Sequence, residues 1–384
     1  MSPINFSNSW LERVGIELEN SALLNIHTKI LVALSGGVDS SVTLIALKEL
    51  GFQVEALFMK NWNEDDGSAD CTIAQDFEDA VRVCDHLGIN LHLANFSQAY
   101  WDAVFQDFIH EHEAGRTPNP DILCNRHIKF DAFLTEARRL GHAWIATGHY
   151  ARLRQTLNGP ELSKGLDPLK DQSYFLHAVK RSAFESVIFP IGHLEKSEVR
   201  ATAEHYKIPV HAKKDSTGIC FIGERRFSKF IKRFVDTTPG PIVDELGNII
   251  GEHKGLACYT IGQRQGLGIG GQANAVEAPW YVAEKDTQHN RLIVVQDPNH
   301  ALLNSYALVG SHWNAMHELP KSGWQGHAKI RYRQVDQACS IERLDDQRFR
   351  IEFENPQRAI TPGQYVVCYD GDLCLGGGVI ENKL

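Results

Sequence analysis

Apolar and amphipathic stretches alternate along the first 150 residues of the chain. Residues 29–34 are short, nearly all apolar and rich in β-branched side chains, which predicts a strand buried on both faces. Further strands are predicted at residues 53–59, 90–95 and 143–147. Apolar positions three and four residues apart predict helices at residues 75–87, 100–113 and 128–140. Alternating strands and helices indicate an α/β domain built on a parallel sheet.

The pattern changes after about Asp215. Glycine becomes frequent, helical periodicity fades after Phe234, and short alternating stretches at residues 292–295 and 348–353 predict strands. We therefore expect an extension at residues 1–24 and an α/β domain at 25–219. A small central domain is expected at 220–282 and a C-terminal β-barrel at 283–384.

Composition narrows the class of protein. The chain has 384 residues, 43% of them hydrophobic, and its net charge is −9, which excludes a disordered or collagen-like chain. The first 28 residues have neither a basic start nor an apolar core, and no apolar run approaches the ~18 residues of a membrane span. Eight cysteines are too few for a disulfide scaffold. A cytoplasmic protein with reduced thiols is expected.

The strongest local signal is Ser35-Gly-Gly-Val-Asp-Ser-Ser41, placed between a buried strand and a helix. Two glycines let backbone N–H groups approach an anion, and the start of the helix adds partial positive charge. Asp39 or Ser40 is the expected N-cap and Gly51 the expected end of this helix. The alternative is an ordinary Gly-Gly turn. No Gly-x4-Gly-Lys-Ser/Thr occurs, so transfer of the γ-phosphoryl group is disfavoured. The loop resembles the pyrophosphatase-type (PP) loop of enzymes that transfer AMP from ATP.

Residues 266–271 also match the dinucleotide-binding pattern G-x-G-x-x-G. No amphipathic helix follows them, so the glycines could not present a helix N-terminus to a pyrophosphate. We interpret this segment as a glycine-rich hairpin or loop.

Two cysteines have unusual neighbours. Cys124 follows a polar, proline-containing segment, and Cys220 precedes a basic stretch. A helix start or a nearby guanidinium would lower the pKa of either thiol and make it nucleophilic. The alternative for each is a small buried hydrophobic residue, which is the expectation for the other six cysteines. No Cys-x2-Cys pair or histidine spacing predicts a metal site.

Two segments are candidates for RNA contact. Residues 213–233 carry seven basic and two acidic side chains, and Arg331-Tyr332-Arg333 places an aromatic ring between two guanidiniums. Such groups can hold phosphates and stack on an unpaired base. A solvated charged face is the alternative.

Eight motifs occur in order: SGGVDSS, MKNW, TPNPDILC, ATGHYAR, LKDQSYFL, STGICFIGER, YTIGQRQGLGIGG and TPGQYVV. Together they resemble the tRNA-specific 2-thiouridylase family from about Lys29 to the C-terminus. The resemblance implies that uridine at the wobble position of tRNA is adenylated on O2 and then attacked at C2 by a persulfide sulfur. A sulfur-carrier protein would supply the sulfur, and the enzyme would be a monomer.

The resemblance also implies roles for individual residues. ATP, with Mg²⁺, would be held by Ala33, Leu34, Ser35, Gly36, Gly37, Val38, Asp39, Ser40, Met59 and Gly148. Cys220 would carry the persulfide, Cys124 would attack or resolve it with formation of a disulfide, and Asp121 would act as acid or base. Asn119, Pro120 and Asp121 would line the target base, and tRNA would contact His149, Lys170, Asp171, Gln172, Arg331, Tyr332 and Gln364.

Two departures and two alternatives accompany this hypothesis. Arg126-His127 stand where the family usually has Lys-Glu, and residues 1–28 precede the usual start. One alternative is a ligase of the same loop class that adenylates a small molecule. The other is a non-catalytic module that binds ATP and RNA.

Overall fold

The computed structural model describes residues 9–19, 24, 27–62, 73–215, 227–269, 278–318 and 320–384. Cys220, the whole of its STGICFIGER motif and part of the glycine-rich segment lie outside these residues, and so does Cys71.

A five-stranded parallel sheet forms the first domain, as the alternating pattern predicts. Its strand order is β3-β2-β1-β4-β7. The strands are β1 Lys29–Ala33, β2 Gln53–Lys60, β3 Leu91–Asn95, β4 Trp144–Ala146 and β7 Val187–Ile188. The first four confirm the predicted strands. The two-residue strand β7 is too short to leave a periodic pattern in the sequence.

Helices cover both faces of this sheet. They are α1 Ser9–Glu19, α2 Val38–Glu49, α3 Ile73–Leu87, α8 Ser173–Leu176, α9 Lys196–His205 and the 3₁₀ turn Arg181–Ser186. Gly51, at φ +84°, ends α2 as predicted. The predicted N-cap of α2 at Asp39 or Ser40 is wrong, because the cap is Gly37 and no side chain caps the helix. The Ser40 and Ser41 hydroxyls instead donate back to the Gly37 carbonyl, at 3.2 and 2.7 Å.

Two further helices contain π-helical turns. The first runs through α4 Ser97–Tyr100, a π turn at Trp101–Phe105 and α5 Gln106–Glu113; the second runs through α6 Pro120–Leu123, a π turn at Cys124–Ala132 and α7 Phe133–Arg139. The second helix was expected to begin at residue 128. It begins at Pro120 because proline is favoured at the first helical position. Cys124 therefore lies in a helix and not in the loop before one.

A β-hairpin in the first half of the chain was not predicted. Its strands, β5 Ala151–Thr156 and β6 Gly159–Lys164, pair with each other. Strand β6 also meets the last strand of the chain, where Leu373 lies opposite Ser163. The hairpin thus extends a sheet that otherwise belongs to the C-terminal domain.

The central domain contains a four-stranded sheet of order β10-β11-β8-β9. Its elements are α10 Phe227–Ile231, β8 Gly240–Val243, β9 Ile249–His253, a 3₁₀ turn Leu256–Cys258, β10 Tyr281–Asp286 and β11 Arg291–Val295. The predicted boundary at residues 282/283 falls inside β10. The sheet continues past it because β11 pairs in parallel with β8.

The C-terminal domain is a closed six-stranded β-barrel, which confirms the predicted fold class. Strands follow the order β12-β15-β14-β13-β16-β17, and pairing of β12 with β17 closes the barrel. Their bounds are β12 Asn304–Ala315, β13 Trp324–Lys329, β14 Gln337–Arg343, β15 Arg348–Arg358, β16 Tyr365–Asp370 and β17 Leu373–Lys383. Buried residues such as Phe349 and Ile351 fill its interior.

Candidate active site at the carboxyl edge of the parallel sheet

The order of the parallel strands reverses between β1 and β4. In open α/β sheets, ligands bind at such a point, outside the carboxyl ends of the strands. The loop after β1 and the loop after β4 meet here: a Cβ atom on Gly148 would lie 2.8 Å from the Ser40 backbone nitrogen. Glycine at position 148 is thus required for the two loops to touch.

The Ser35–Ser41 loop is fixed by its own hydroxyls and by one lysine. The Ser40 hydroxyl accepts from the Ser35 backbone N–H at 3.2 Å. Gly36, at φ +71°, packs against α3 so closely that a Cβ atom would lie 2.1 Å from the Asp76 carbonyl oxygen. Lys213 Nζ donates to the Gly36 carbonyl at 3.0 Å and to the Asp76 and Asp79 carboxylates at 2.7 and 2.6 Å. Burial opposes the charge on Lys213, but these carboxylates raise its pKa.

A second ionic network leads from this loop to residue 215. Asp39 accepts hydrogen bonds from the Tyr150 hydroxyl at 2.8 Å and from Lys196 Nζ at 2.6 Å. Lys196 also contacts Asp215 at 2.9 Å. Burial would raise the pKa of Asp215, but hydrogen bonds from Lys170 and Lys196 lower it to about 2. Asp215, the last described residue before the Cys220 segment, is therefore tied to the loop through Lys196.

The residues expected to bind ATP come from one edge of the sheet. Leu34 and Val38 are buried beneath the loop, and Ala33 ends β1. Met59 is half-buried near the end of β2. Gly148 follows β4. The structure thus gathers the ends of three strands, as the carboxyl edge of a parallel sheet requires.

The segment of residues 117–124, which we call the base loop, leads into α6 beside this edge. Asp121 is half-buried, and burial raises the pKa of its carboxyl group, with a partial opposing effect of Lys129. The same Lys129, together with burial, lowers the pKa of His149 well below its usual value. His149 is the residue after Gly148, so Lys129 acts on groups from both the β4 loop and the base loop.

Cys124 is 5% exposed and lies where the first domain meets the central domain. Its cluster includes Phe105 from the first domain and Phe230 and Val294 from the central domain. The structure thus places this sulfur in an apolar interior and not in a polar loop. Access of RNA to this sulfur would require the base loop or α10 to move.

The barrel holds the base loop in place. Gln364 Nε2 donates to the Thr117 and Pro118 carbonyls, at 2.8 and 3.1 Å, and the Thr117 backbone N–H donates to the Pro362 carbonyl at 2.9 Å. Gly363, at φ +88°, leaves no room for a side chain, because a Cβ atom would lie 3.0 Å from the Thr117 nitrogen. The sequence identified both motifs, but it did not reveal that they dock on each other.

Other residues expected to contact tRNA also have partners within the protein. The Asp171 carboxylate is buried, accepts from the Gly165 and Ser173 backbone N–H groups at 3.1 and 3.0 Å, and pairs with Lys329 of the barrel at 3.2 Å. Gln172 accepts from the Tyr150 backbone N–H at 3.0 Å. A contact between RNA and the Asp171 side chain would require this network to open.

Arg331 and Tyr332 lie at the end of β13. Arg331 is exposed, whereas the half-buried Tyr332 ring packs 4.5 Å from the Phe175 ring. Arg333 lies 5.3 Å from the centre of the Tyr332 ring. Part of the aromatic surface that was expected to stack on a base is thus covered from within.

The structure brings together three possible metal ligands that the sequence did not predict, because they are far apart in the chain. The ligand atoms of Glu55, His92 and His142 lie within 4.8 Å of one another. They lie near the amino ends of the parallel strands, on the opposite edge from the Ser35–Ser41 loop. Hydrogen bonds from the two imidazoles account for the lowered pKa of Glu55, so internal pairing is a sufficient explanation of the group.

The remaining described cysteines are buried, as expected. They are Cys84, Cys258, Cys339, Cys368 and Cys374. Burial raises the pKa of Cys84 to about 11 and that of Cys339 to about 12, so both thiols stay protonated at neutral pH.

Models of three protein domains match most of the chain, from residue 28 to residue 380. A model described as "tRNA methyl transferase HUP domain" matches residues 28–224. A "tRNA methyl transferase PRC-barrel domain" matches 228–296, and an "Aminomethyltransferase beta-barrel domain" matches 305–380. The fold and the loop together define a HUP-class α/β protein with two appended β domains.

Full-length relatives are named for a thiolation reaction and not for methyl transfer. Proteins named tRNA-specific 2-thiouridylase MnmA from Pseudomonas fluorescens (strain Pf0-1) and Stutzerimonas stutzeri (strain A1501) are each 57% identical over 355 residues, covering 92% of this chain and 94% of theirs. The protein of that name from Pseudomonas paraeruginosa (strain DSM 24068 / PA7) is 56% identical over 366 residues, covering 95% and 97%. The chain belongs to the tRNA-specific 2-thiouridylase family. None of its described helices could span a membrane.

Proposed function

We propose that this protein is a tRNA 2-thiouridylase that consumes ATP to replace O2 of the wobble uridine by sulfur. The family assignment supports the class of reaction. One structural observation carries the site: the Ser35–Ser41 loop touches Gly148, and Lys129 acts electrostatically on both the next residue, His149, and Asp121 of the base loop. A nucleotide on the first loop would therefore lie beside a base held by the second.

The chemistry explains why the Ser35–Ser41 loop, which we call the ATP loop, is combined with thiols. Hydroxide, the conjugate base of water with pKa ~15.7, is a poor leaving group from a uracil carbonyl carbon. In the proposed reaction the uridine O2 attacks the α-phosphate of ATP and pyrophosphate departs. O2 then leaves as part of AMP, a phosphate whose second pKa is ~6.

Sulfur transfer would use the two cysteines in sequence. The terminal sulfur of a Cys220 persulfide attacks C2 and expels AMP, which leaves a C2–S–S–Cys220 linkage. The Cys124 thiolate attacks the Cys220 sulfur, so the thiocarbonyl is released and a Cys124–Cys220 disulfide forms. A dithiol reductant supplies the two electrons that restore both thiols.

The described neighbours of Cys220 support this pairing. Five peptide units separate residue 220 from Asp215, which limits their Cα atoms to about 18 Å. Asp215 is linked through Lys196 to Asp39 of the ATP loop. On the other side, α10 begins at Phe227 and contributes Phe230 to the apolar cluster that contains Cys124. The segment that carries Cys220 is thus anchored at one end near the Ser35–Ser41 loop and at the other end in the apolar cluster that contains Cys124.

Asp121 is the proposed acid or base at the target base. Its raised pKa, caused by burial, lets the carboxyl group exchange a proton nearer to neutral pH than a solvated aspartate could.

Mg²⁺ with the ATP, a sulfur-carrier protein, a monomeric state and a cytoplasmic location stay predictions. The ligase and the non-catalytic module are disfavoured, because the relatives that cover the whole chain are named as tRNA 2-thiouridylases.

The test replaces each proposed sulfur-handling residue by serine. We expect Cys220→Ser to abolish 2-thiouridine in tRNA, measured by mass spectrometry of nucleosides, while ATP binding persists. Cys124→Ser should allow adenylation but stop turnover. Cys84→Ala is the control, because burial keeps the Cys84 thiol protonated. Normal thiolation by Cys220→Ser would refute the mechanism.

A further inference from the structure

A cavity of about 200 Å³ lies where all three domains meet. The first domain contributes the residues after α5 and the start of the base loop. The central domain contributes Ile261, Lys285 of β10 and Thr287 just after it, and the barrel contributes the segment before Gly363. The lining residues are Ala114, Gly115, Arg116, Thr117, Ile261, Lys285, Thr287, Thr361 and Pro362. No carboxylate is among them.

Lys285 on β10 brings an uncompensated charge to this cavity. Its Nζ atom is buried and has no hydrogen-bond partner among the described residues. Burial lowers the pKa of Lys285 to about 8, so most of the population is still charged at neutral pH. A buried ammonium group without a counter-charge is unfavourable, and such a group in a native structure is explained by a bound water or ion or by a functional role.

A second unsatisfied donor lines the same cavity. The Thr117 hydroxyl is buried and also lacks a hydrogen-bond partner in the described part of the chain. The Thr361 hydroxyl is already engaged, because it donates to the Ala359 carbonyl at 2.9 Å. The Arg116 guanidinium is paired with Glu111 through Nε, at 2.6 Å. One ammonium group and one hydroxyl thus remain available, and both suit an oxyanion that carries a single negative charge.

The position of the cavity indicates where that anion comes from. Thr117 lies two residues before Asn119, which begins the part of the base loop expected to line the target base. The exposed residues Ala114 and Thr287 form part of the cavity wall, so the cavity opens to the protein surface, and the buried Lys285 ammonium and Thr117 hydroxyl lie behind it. A phosphodiester carries one negative charge and is repeated along an RNA chain next to every base.

We propose that this cavity binds a backbone phosphate of the substrate RNA close to the target nucleotide, with Lys285 and Thr117 as its donors. The inference rests on the proposed function and deepens it. Because the cavity needs all three domains, a phosphate bound there would hold the base loop against the central domain and the barrel. Free inorganic phosphate shares the chemistry, and the experiment must separate the two sources.

The experiment compares Lys285→Met with Lys321→Met, which removes an exposed lysine of the barrel domain. Dissociation constants for unmodified tRNA are measured by fluorescence anisotropy at several salt concentrations. Losing one phosphate contact should weaken binding about tenfold and reduce the slope of log K against log[salt] by about 0.7 to 0.9. Lys321→Met should resemble the wild type.

Thermal unfolding separates this role from a structural one. Removal of an unpaired buried charge should leave the midpoint of Lys285→Met unchanged or higher, so weaker RNA binding would not reflect a damaged fold. Equal affinity and equal salt slope in Lys285→Met and the wild type would overturn the inference. It would also fail if inorganic phosphate stabilised only the wild type while both proteins bound tRNA equally, since the site would then take a free anion. If the wild type itself did not bind tRNA, the proposed function would fail instead.

Discussion

The ATP loop and the base loop are held in different ways. The ATP loop is fixed within the first domain, by its own serines, by Gly36 packed on α3 and by Lys213. The base loop is held by Gln364 of the barrel, and its Cys124 packs among central-domain residues. The first loop is thus held within one domain, whereas the contacts of the base loop and its Cys124 come from three.

The largest expected effect comes from Gly36→Ala. The new methyl group would meet the Asp76 carbonyl at 2.1 Å, and φ of +71° is unfavourable for alanine. Displacement of the loop should lower tRNA-dependent AMP formation about 10²-fold or more, since small misplacements of reacting groups have such effects. Gly88→Ala is the matched control, because φ there is +63° and no atom lies within 4 Å. It should cost only about 1 to 2 kcal/mol of stability. Equal activity in the two variants would show that the loop tolerates displacement.

A smaller effect is expected from Gln364→Ala, which removes both hydrogen bonds to the base loop. Loss of about 1.4 kcal/mol of positioning energy corresponds to a tenfold lower kcat. ATP binding should be unchanged, because the ATP loop has no contact with this glutamine. Gln325→Ala, an exposed glutamine in the same barrel, is the control.

The two kinetic constants decide how Gln364 acts. A positioning residue changes kcat at saturating tRNA, whereas a residue that contacts RNA directly raises KM and leaves kcat intact. A change confined to KM would instead indicate that Gln364 contacts tRNA directly, as the family resemblance implied.

The smallest expected effect at neutral pH concerns His112, whose contribution to stability changes only in acid. Burial, with a contribution from Lys285, lowers the pKa of His112 from 6.5 to about 3. The unfolded chain therefore takes up this proton first, and stability present above pH 6.5 is lost as pH falls toward 3. One histidine of this kind changes the free energy of unfolding by up to about 1.4 kcal/mol per pH unit. On the ATP side, Asp215 has a pKa of about 2, so its contribution is lost only at more acidic pH.

His112→Phe tests this contrast, because the imidazole already packs 4.6 Å from the Phe108 ring and 5.4 Å from the Phe227 ring. Denaturant unfolding between pH 7 and pH 4 should show a flatter pH dependence in this variant. The exposed His327→Phe should keep the slope of the wild type. An unchanged slope in His112→Phe would mean that His112 is not neutral in the folded state.

The same contrast explains how far the sequence could predict the structure. Strand β1, the glycine turn and α2 are consecutive, so one local pattern predicted the ATP loop and the sheet around it. The prediction of the N-cap of α2 was wrong because a serine hydroxyl near a helix start can either cap the helix or bond a nearby carbonyl. The Ser40 hydroxyl donates to the Gly37 carbonyl. The first turns of α6 were missed because residues 117–121 have the composition of a loop, although Pro120 begins the helix.

Long-range pairings were invisible in the sequence. Gln364 and Thr117 are 247 residues apart, and Lys329 and Asp171 are 158 apart, so no local period joins them. The hairpin β5–β6 was missed because its main partner sheet is made by the C-terminal third of the chain. The cluster of Glu55, His92 and His142 has the same origin, since parallel strands bring together residues that are remote in the chain.

The pairing of Leu373 with Ser163 also has a consequence for synthesis. A growing polypeptide emerges amino end first, so the edge of strand β6 has no β17 to pair with until residues 373–383 have left the ribosome. The hairpin that follows the ATP-loop half of the chain is translated early, but β6 gains this partner only after β17 has been made. A truncated translation product therefore lacks a finished sheet on the very domain that would consume ATP.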